Sequence, residues 1–275
     1  MKRERGKLIR AVLLAGMAVC LIPVCQAYVK TVQHREQQEI LKEIVTEASV
    51  QYPVQTDSAP QEICVSILPE QTAYTDGGQA KEKPVMLQQY AGLYEENNDL
   101  AGWLSIEGMK IDYPVMQGED DEYYLHHDFY GKDSKYGCLY VKGQADLDTG
   151  TNFIIYGHNM KDSSMFGDLD LYLKESFFKE HPVISFDTLY EERTYEIIAV
   201  FRSQVYNADD DVFKYYQFYQ ADTQEEFDDF YRNIKALSLY DTGVEAQFGD
   251  TFLTLSTCAY HVTDGRLVVV AKRTE

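Results

Sequence analysis

Apolar and polar positions along the chain fall into two regimes. From residue 85 onward, short apolar runs of four to eight residues are broken by turn residues, the pattern of strands. Trp103-Leu104-Ser105-Ile106 and Ile111-Asp112-Tyr113-Pro114-Val115 predict two strands about a Glu107-Gly108 turn, and Cys138–Val141 and Phe153–Tyr156 two more. Val183–Phe186, the long run 194–205, Phe252–Ser256 and Leu267–Ala271 complete about eight. Helical spacing is rarer. Val85–Glu96 and Met165–Leu173 fit it, the latter with Phe166, Leu169 and Leu173 on one face. Thr223 to Leu237 is the clearest helix: Thr223 and Glu226 form a capping box, and Phe227, Phe230, Ile234 and Leu237 make the apolar stripe. Helices inserted among short strands, without strict alternation, predict a mainly β fold, a barrel or sandwich, and not a doubly wound sheet.

The N-terminal third differs. Lys2, Arg3, Arg5, Lys7 and Arg10 stand against Glu4 alone, a net of +4, and an apolar run follows from Ala11 to Cys25, broken only by Gly16 and Pro23. With Leu8 and Ile9 it approaches the length of a membrane span, and basic residues ahead of it keep the N-terminus cytoplasmic. A signal peptide cut near Cys25-Gln26-Ala27 is the rival reading, a lipoprotein signal a weaker one; all three put residues 28–275 outside the cytoplasm. The expected organisation is a cytoplasmic basic tail over 1–10, a transmembrane signal-anchor over 8–27, an extracellular helical stalk and linker over 28–84 and a compact domain over 85–275. Pro53, Pro60, Pro69, Pro84 and Gly77-Gly78 mark the linker.

Charge removes one class of function. With 25 Lys+Arg against 45 Asp+Glu the chain carries −20, and no general nucleic-acid binder has that balance. The acidic runs Glu119–Glu122 and Asp209–Asp211 lack the ligand spacing of a calcium loop and read as solvated loops; no metal or cofactor is expected.

Cysteine narrows the chemistry. Cys20 and Cys25 lie in the apolar run, which leaves Cys64, Cys138 and Cys258 for the exported part, an odd number. Cys64 sits in the Pro-rich segment, and Cys138 reads as a small core hydrophobe in a strand. Cys258 ends a strand where the chain turns, the kind of rim where a reactive thiol is held on a rigid element. A free thiol titrates near 8.5 and needs a basic neighbour to act at neutral pH. His158, after Gly157 at the end of the Phe153–Tyr156 strand, is at a comparable rim; His34, His126, His127, His181 and His261 are placed in helices and loops. Arg266 opens the last strand, and a hairpin would set it beside Cys258, where an oxyanion needs donors.

Together these pieces resemble a known family. Thr254-Leu255-Ser256-Thr257-Cys258, then Arg266-Leu267-Val268-Val269-Val270, with Tyr156-Gly157-His158-Asn159-Met160 upstream, resemble the sortases, most of all class B. Ala101-Gly102-Trp103-Leu104, Ile111–Val115, Tyr123-Tyr124-Leu125 and Ser164–Leu169 agree, and the 223–237 helix falls where class B members insert one before the penultimate strand. The resemblance implies an eight-stranded sortase β-barrel on the outer face of a Gram-positive-type membrane. It implies a transpeptidase that cuts a sorting motif after Thr and joins the Thr carbonyl to a cell-wall or pilin amine. Cys258 would be the nucleophile, His158 the acid and base, and Arg266 the oxyanion donor. Leu125, Ser256, Thr257, Val212, Phe213 and Asp121 would line the substrate groove, Asp121 standing where some class B members carry Asn. Its partners would be the C-termini of secreted surface proteins and the acceptor amine. Other thiol enzymes fit poorly, since His158 precedes Cys258 and the stretch reads Leu-Ser-Thr-Cys. The other class of function is a membrane-anchored binding or assembly protein with a degenerate site, which would keep its activity without the thiol.

Overall fold

The structure, a computed structural model, describes residues 2–51, 84–260 and 262–274, with the side chains of 2–21 and 23 outside the description. The chain begins with one long helix, α1 (Lys2–Gln51), followed by α2 (Gln88–Glu96). Eight strands follow: β1 (Leu100–Ser105), β2 (Asp112–Met116), β3 (Leu139–Val141), β4 (Asn152–Gly157), β5 (Val183–Thr188), β6 (Thr194–Gln204), β7 (Phe252–Cys258) and β8 (Gly265–Arg273). Between them lie α3 (Tyr123–His126), a 3₁₀ helix (Gly167–Leu173), α4 (Glu175–Glu180) and α5 (Gln224–Leu237).

The strands close a barrel in the order β1-β2-β3-β4-β7-β8-β6-β5, with β5 pairing back to β1. Two neighbouring pairs, β2–β3 and β4–β7, are parallel and the rest antiparallel. The residue pattern of β8 explains why its strand reads as a continuous apolar run. Leu267, Val269 and Ala271 enter the interior cluster with Leu104, Ile155 and Leu255, while Val268 and Val270 face outward into a second cluster. A strand covered on both faces needs apolar residues at every position. The outer cover there is α5, whose Phe227, Phe230 and Ile234 pack on Ile154, Phe252 and Val268. Its start is fixed as the sequence predicts, with Thr223 and Glu226 completing both halves of the capping box.

A third cluster joins the helical N-terminal part to the barrel. Leu41 of α1 and Tyr90 and Leu93 of α2 pack with Trp103, Met116 and Tyr140. Lys42 pairs with Asp112 at 3.4 Å, and the Asp112 carboxylate also accepts from Trp103 Nε1 at 2.6 Å. The described end of the 28–84 segment is therefore docked on the barrel. Among the described residues no helix is long and apolar enough to cross a membrane. Most side chains of the expected 8–27 span, and the whole of the Pro-rich segment around Cys64, lie outside what is described.

One element differs in kind. The helix expected over Met165–Leu173 is a 3₁₀ helix from Gly167. From Phe166 on, the buried side chains are Phe166, Leu169 and Tyr172, each three apart. That spacing aligns side chains on a three-residue turn, not on one of 3.6.

Candidate active site

The parallel ladder between β4 and β7 runs in step from Asn152↔Phe252 to Gly157↔Thr257. The next residue on each strand is His158 and Cys258, so both leave the same end of the barrel as neighbours. On the other side of β7, the antiparallel ladder with β8 ends at Cys258↔Arg266. Directly opposed residues of an antiparallel pair share a face of the sheet. Three adjacent strands thus deliver a thiol, an imidazole and a guanidinium to one rim, from positions up to 108 residues apart in the chain.

The imidazole is oriented. His158 Nε2 lies 2.8 Å from the Leu125 carbonyl oxygen. A carbonyl only accepts, so Nε2 carries the hydrogen and the neutral ring keeps its lone pair on Nδ1. The carbonyl is itself placed by Gly137, whose φ of +58° suits glycine; a Cβ there would come within 2.7 Å of the Leu125 oxygen. Cys138 N–H binds the Tyr124 carbonyl at 2.8 Å and pins the same turn. Gly157 allows close approach behind the histidine, since a Cβ would lie 2.4 Å from Leu139 Cδ2. Arg266 is half-buried and donates to the carbonyls of Asp264 and Gly265 at 3.2 and 3.0 Å, which holds its guanidinium over the β7–β8 turn.

A groove of about 510 Å³ opens from these three residues. Leu125, Ser256, Thr257 and Asp121, expected from the sequence, line it. Three of the four have side chains engaged with neighbouring structure: the Ser256 hydroxyl bonds Tyr215 OH at 2.7 Å, and Thr257 Oγ1 donates to the Gly157 carbonyl at 2.8 Å. Asp121 accepts from Gly143 N–H at 2.8 Å. Val212 and Phe213 are not brought to the groove. Val212 is exposed, and Phe213 turns into the α5 cluster, its ring centroid 5.9 Å from that of Phe230.

The wall they were expected to form is made by Val205, Tyr215, Tyr216 and Tyr219, facing Tyr140 and Tyr156. The run Tyr215-Tyr216 with Tyr219 was the available signal in the sequence. Burial pushes Tyr140 and Tyr215 each up to about 12, with Glu122 adding to the effect at Tyr140 and the Ser256 bond opposing it at Tyr215. Both stay neutral across physiological pH and offer hydrogen bonds without charge. A larger groove of about 750 Å³ shares Gln144 with this one, but its lining contains no thiol or imidazole. Cys138 is buried and burial drives its thiol far up, so it packs as a core residue. His127 stacks on Tyr123 and bonds its carbonyl, His126 is exposed, and His261 is outside the described residues.

A thiol, an oriented imidazole and a guanidinium beside a tyrosine-walled groove suit nucleophilic attack on an amide carbonyl of an extended peptide. The family model for the sortase domain matches residues 104–274. Sortase B of Listeria monocytogenes is 35% identical over 189 residues, covering 66% of this chain and 72% of that protein. Sortase B of Staphylococcus aureus is 30% identical over 196 residues, covering 70% and 78%. A solved Staphylococcus aureus sortase B–substrate complex superposes with a TM-score of 0.71 at 25% identity, covering 90% of this chain and 99% of that one. Sortase B from B. anthracis, in complex with AAEK1, gives 0.69 at 27% identity over the same shares.

Proposed function

The chain belongs to the sortase family, and on that premise we propose that it is a class B cysteine transpeptidase acting on the sorting motifs of secreted surface proteins. The observation that carries this reading is the placement of Cys258, His158 and Arg266 on the ends of three adjacent strands. Cys258 passes its proton to His158, and its sulfur attacks the carbonyl carbon of the motif's Thr. The tetrahedral oxyanion takes hydrogen bonds from Arg266. The C–N bond breaks as His158 gives a proton to the departing amine, leaving a Thr thioester on Cys258. An incoming cell-wall or pilin amine then loses a proton to His158 and attacks the thioester, forming the new amide and restoring the thiol. Without an amine, water completes the reaction as hydrolysis.

The organisation that serves this activity has the basic tail over 1–10 in the cytoplasm and 8–27 in the membrane. The 28–84 segment and the catalytic domain over 85–275 lie outside. Leu125, Asp121, Ser256 and Thr257 line the motif's path, together with Tyr215, Tyr216 and Tyr219. The test uses the purified full chain and fluorogenic peptides carrying Asn-Pro-x-Thr-Asn, Ser/Asn-Pro-x-Thr-Gly and Leu-Pro-x-Thr-Gly. Cleavage after Thr that disappears in Cys258→Ala is expected. No cleavage, and no acyl mass on Cys258, would turn the reading toward a binding protein.

A further inference from the structure

The main-chain ladder between β4 and β7 stops one residue short of the chemistry, at Gly157↔Thr257. Beyond it, something else must set the spacing of His158 and Cys258. The Asn159 side chain reaches across and donates through Nδ2 to the carbonyl oxygen of Cys258 at 2.9 Å. The acceptor is a carbonyl, so the nitrogen, not the oxygen, of the amide faces it. The same nitrogen lies 3.5 Å from an Asp170 oxygen on the 3₁₀ helix, which favours that orientation of the amide. Asn159 is itself fixed by its bridge to Met165 and by the bond from Phe166 N–H to the His158 carbonyl at 3.0 Å.

We propose that Asn159 is a positioning residue. Its side-chain amide replaces the missing rung of the β4–β7 ladder and fixes the Cys258 main chain relative to His158. Asn159 does not touch the reacting atoms in this role; it acts through the Cys258 carbonyl. The six rungs from Asn152 to Gly157 hold the barrel without it. Its removal should loosen the catalytic pair and leave the fold intact.

The activity arm of the test rests on the transpeptidase reading; a second arm does not. Asn159→Ala removes the donor, and Asn159→Asp keeps the shape but sets an oxygen against the carbonyl. Both should lower kcat by roughly 10- to 100-fold, the scale of a misplacement near 1 Å, with KM within about twofold of the wild type. A packing role would instead spare Asn159→Asp. In the second arm, iodoacetamide alkylation of the Cys258 peptide is followed by mass spectrometry. The wild type, His158→Ala, Asn159→Ala and the double variant close a cycle. The effect of His158→Ala on that rate should shrink at least severalfold when Asn159 is absent. Full activity in Asn159→Ala, a loss carried by KM alone, or an unchanged His158 effect would overturn the proposal. So would unfolding of both variants. A wild type that cuts no peptide while the cycle shows coupling would overturn the transpeptidase reading and leave this one standing.

Discussion

His34 should make the docking of α1 sensitive to acid. Its ring is 8% exposed and stacks on Tyr136 with centroids 4.0 Å apart, and neither ring nitrogen has a hydrogen-bond partner among the described residues. Burial pulls its pKa from 6.5 down to about 4; the carboxylates of Asp162 and Asp128 oppose this and Lys135 adds to it. The undocked helix leaves the imidazole in water, where it titrates near 6.5. Above that pH both states hold the neutral ring, and His34 is indifferent to docking. Between 6.5 and about 4 only the undocked state takes the proton, so docking weakens as pH falls. At about 1.4 kcal/mol per tenfold change in proton concentration, the whole interval is worth at most about 3 kcal/mol. Trp103, the one tryptophan, reports the event. It shares a cluster with Leu41, and its indole N–H binds the Asp112 carboxylate that Lys42 of α1 pairs with. A fluorescence titration should show its emission moving to the red as pH falls below 6.5. His34→Phe keeps the ring stack without the proton, and its transition should begin at lower pH. Coincident curves for the two proteins would refute the reasoning.

Two further outcomes test the supports of the site and of the fold separately. Gly157→Ala forces a Cβ to within 2.4 Å of Leu139 and 2.8 Å of Phe166. It should cost about 1–3 kcal/mol by overpacking, seen as a lower Tm, and should cut peptide cleavage further because His158 follows directly. Thr223→Ala removes one half of the α5 capping box and should cost about 1 kcal/mol, read as a lower urea midpoint, with cleavage unchanged because no residue of α5 lines the groove.

The eight strands and the Thr223 cap were legible because each rests on a local pattern. So was the meeting of Cys258 with Arg266, since a hairpin between consecutive strands has few alternatives. The parallel pairing that brings His158 to Cys258 was not derivable from periodicity; the resemblance of ordered motifs implied only that the two residues act together. Val212 and Phe213 were misplaced because an aromatic residue in a loop does not reveal which of two apolar surfaces it will join. Phe213 found Phe230 of α5 closer than the groove. Leu125 was identified by its place in a motif, but its backbone carbonyl, which orients His158, carries no side-chain signature at all. The docking of α1 was equally hidden, because its buried face mixes His34, Gln38 and Leu41 and does not form a clean apolar stripe.

The parallel seam between β4 and β7 also governs when the protein can work. A parallel pair cannot form as a hairpin; here its two strands are separated by about 100 residues, including β5, β6 and α5. Contacts so distant in sequence form late and slowly, because the intervening chain must first lose its freedom. Cys258 closes β7, and β8, which sets Arg266 beside it, follows later in the sequence. A chain synthesised only as far as β6 has His158 and no thiol beside it. The site is thus complete only once β7 and β8 have joined β4 and the barrel has closed.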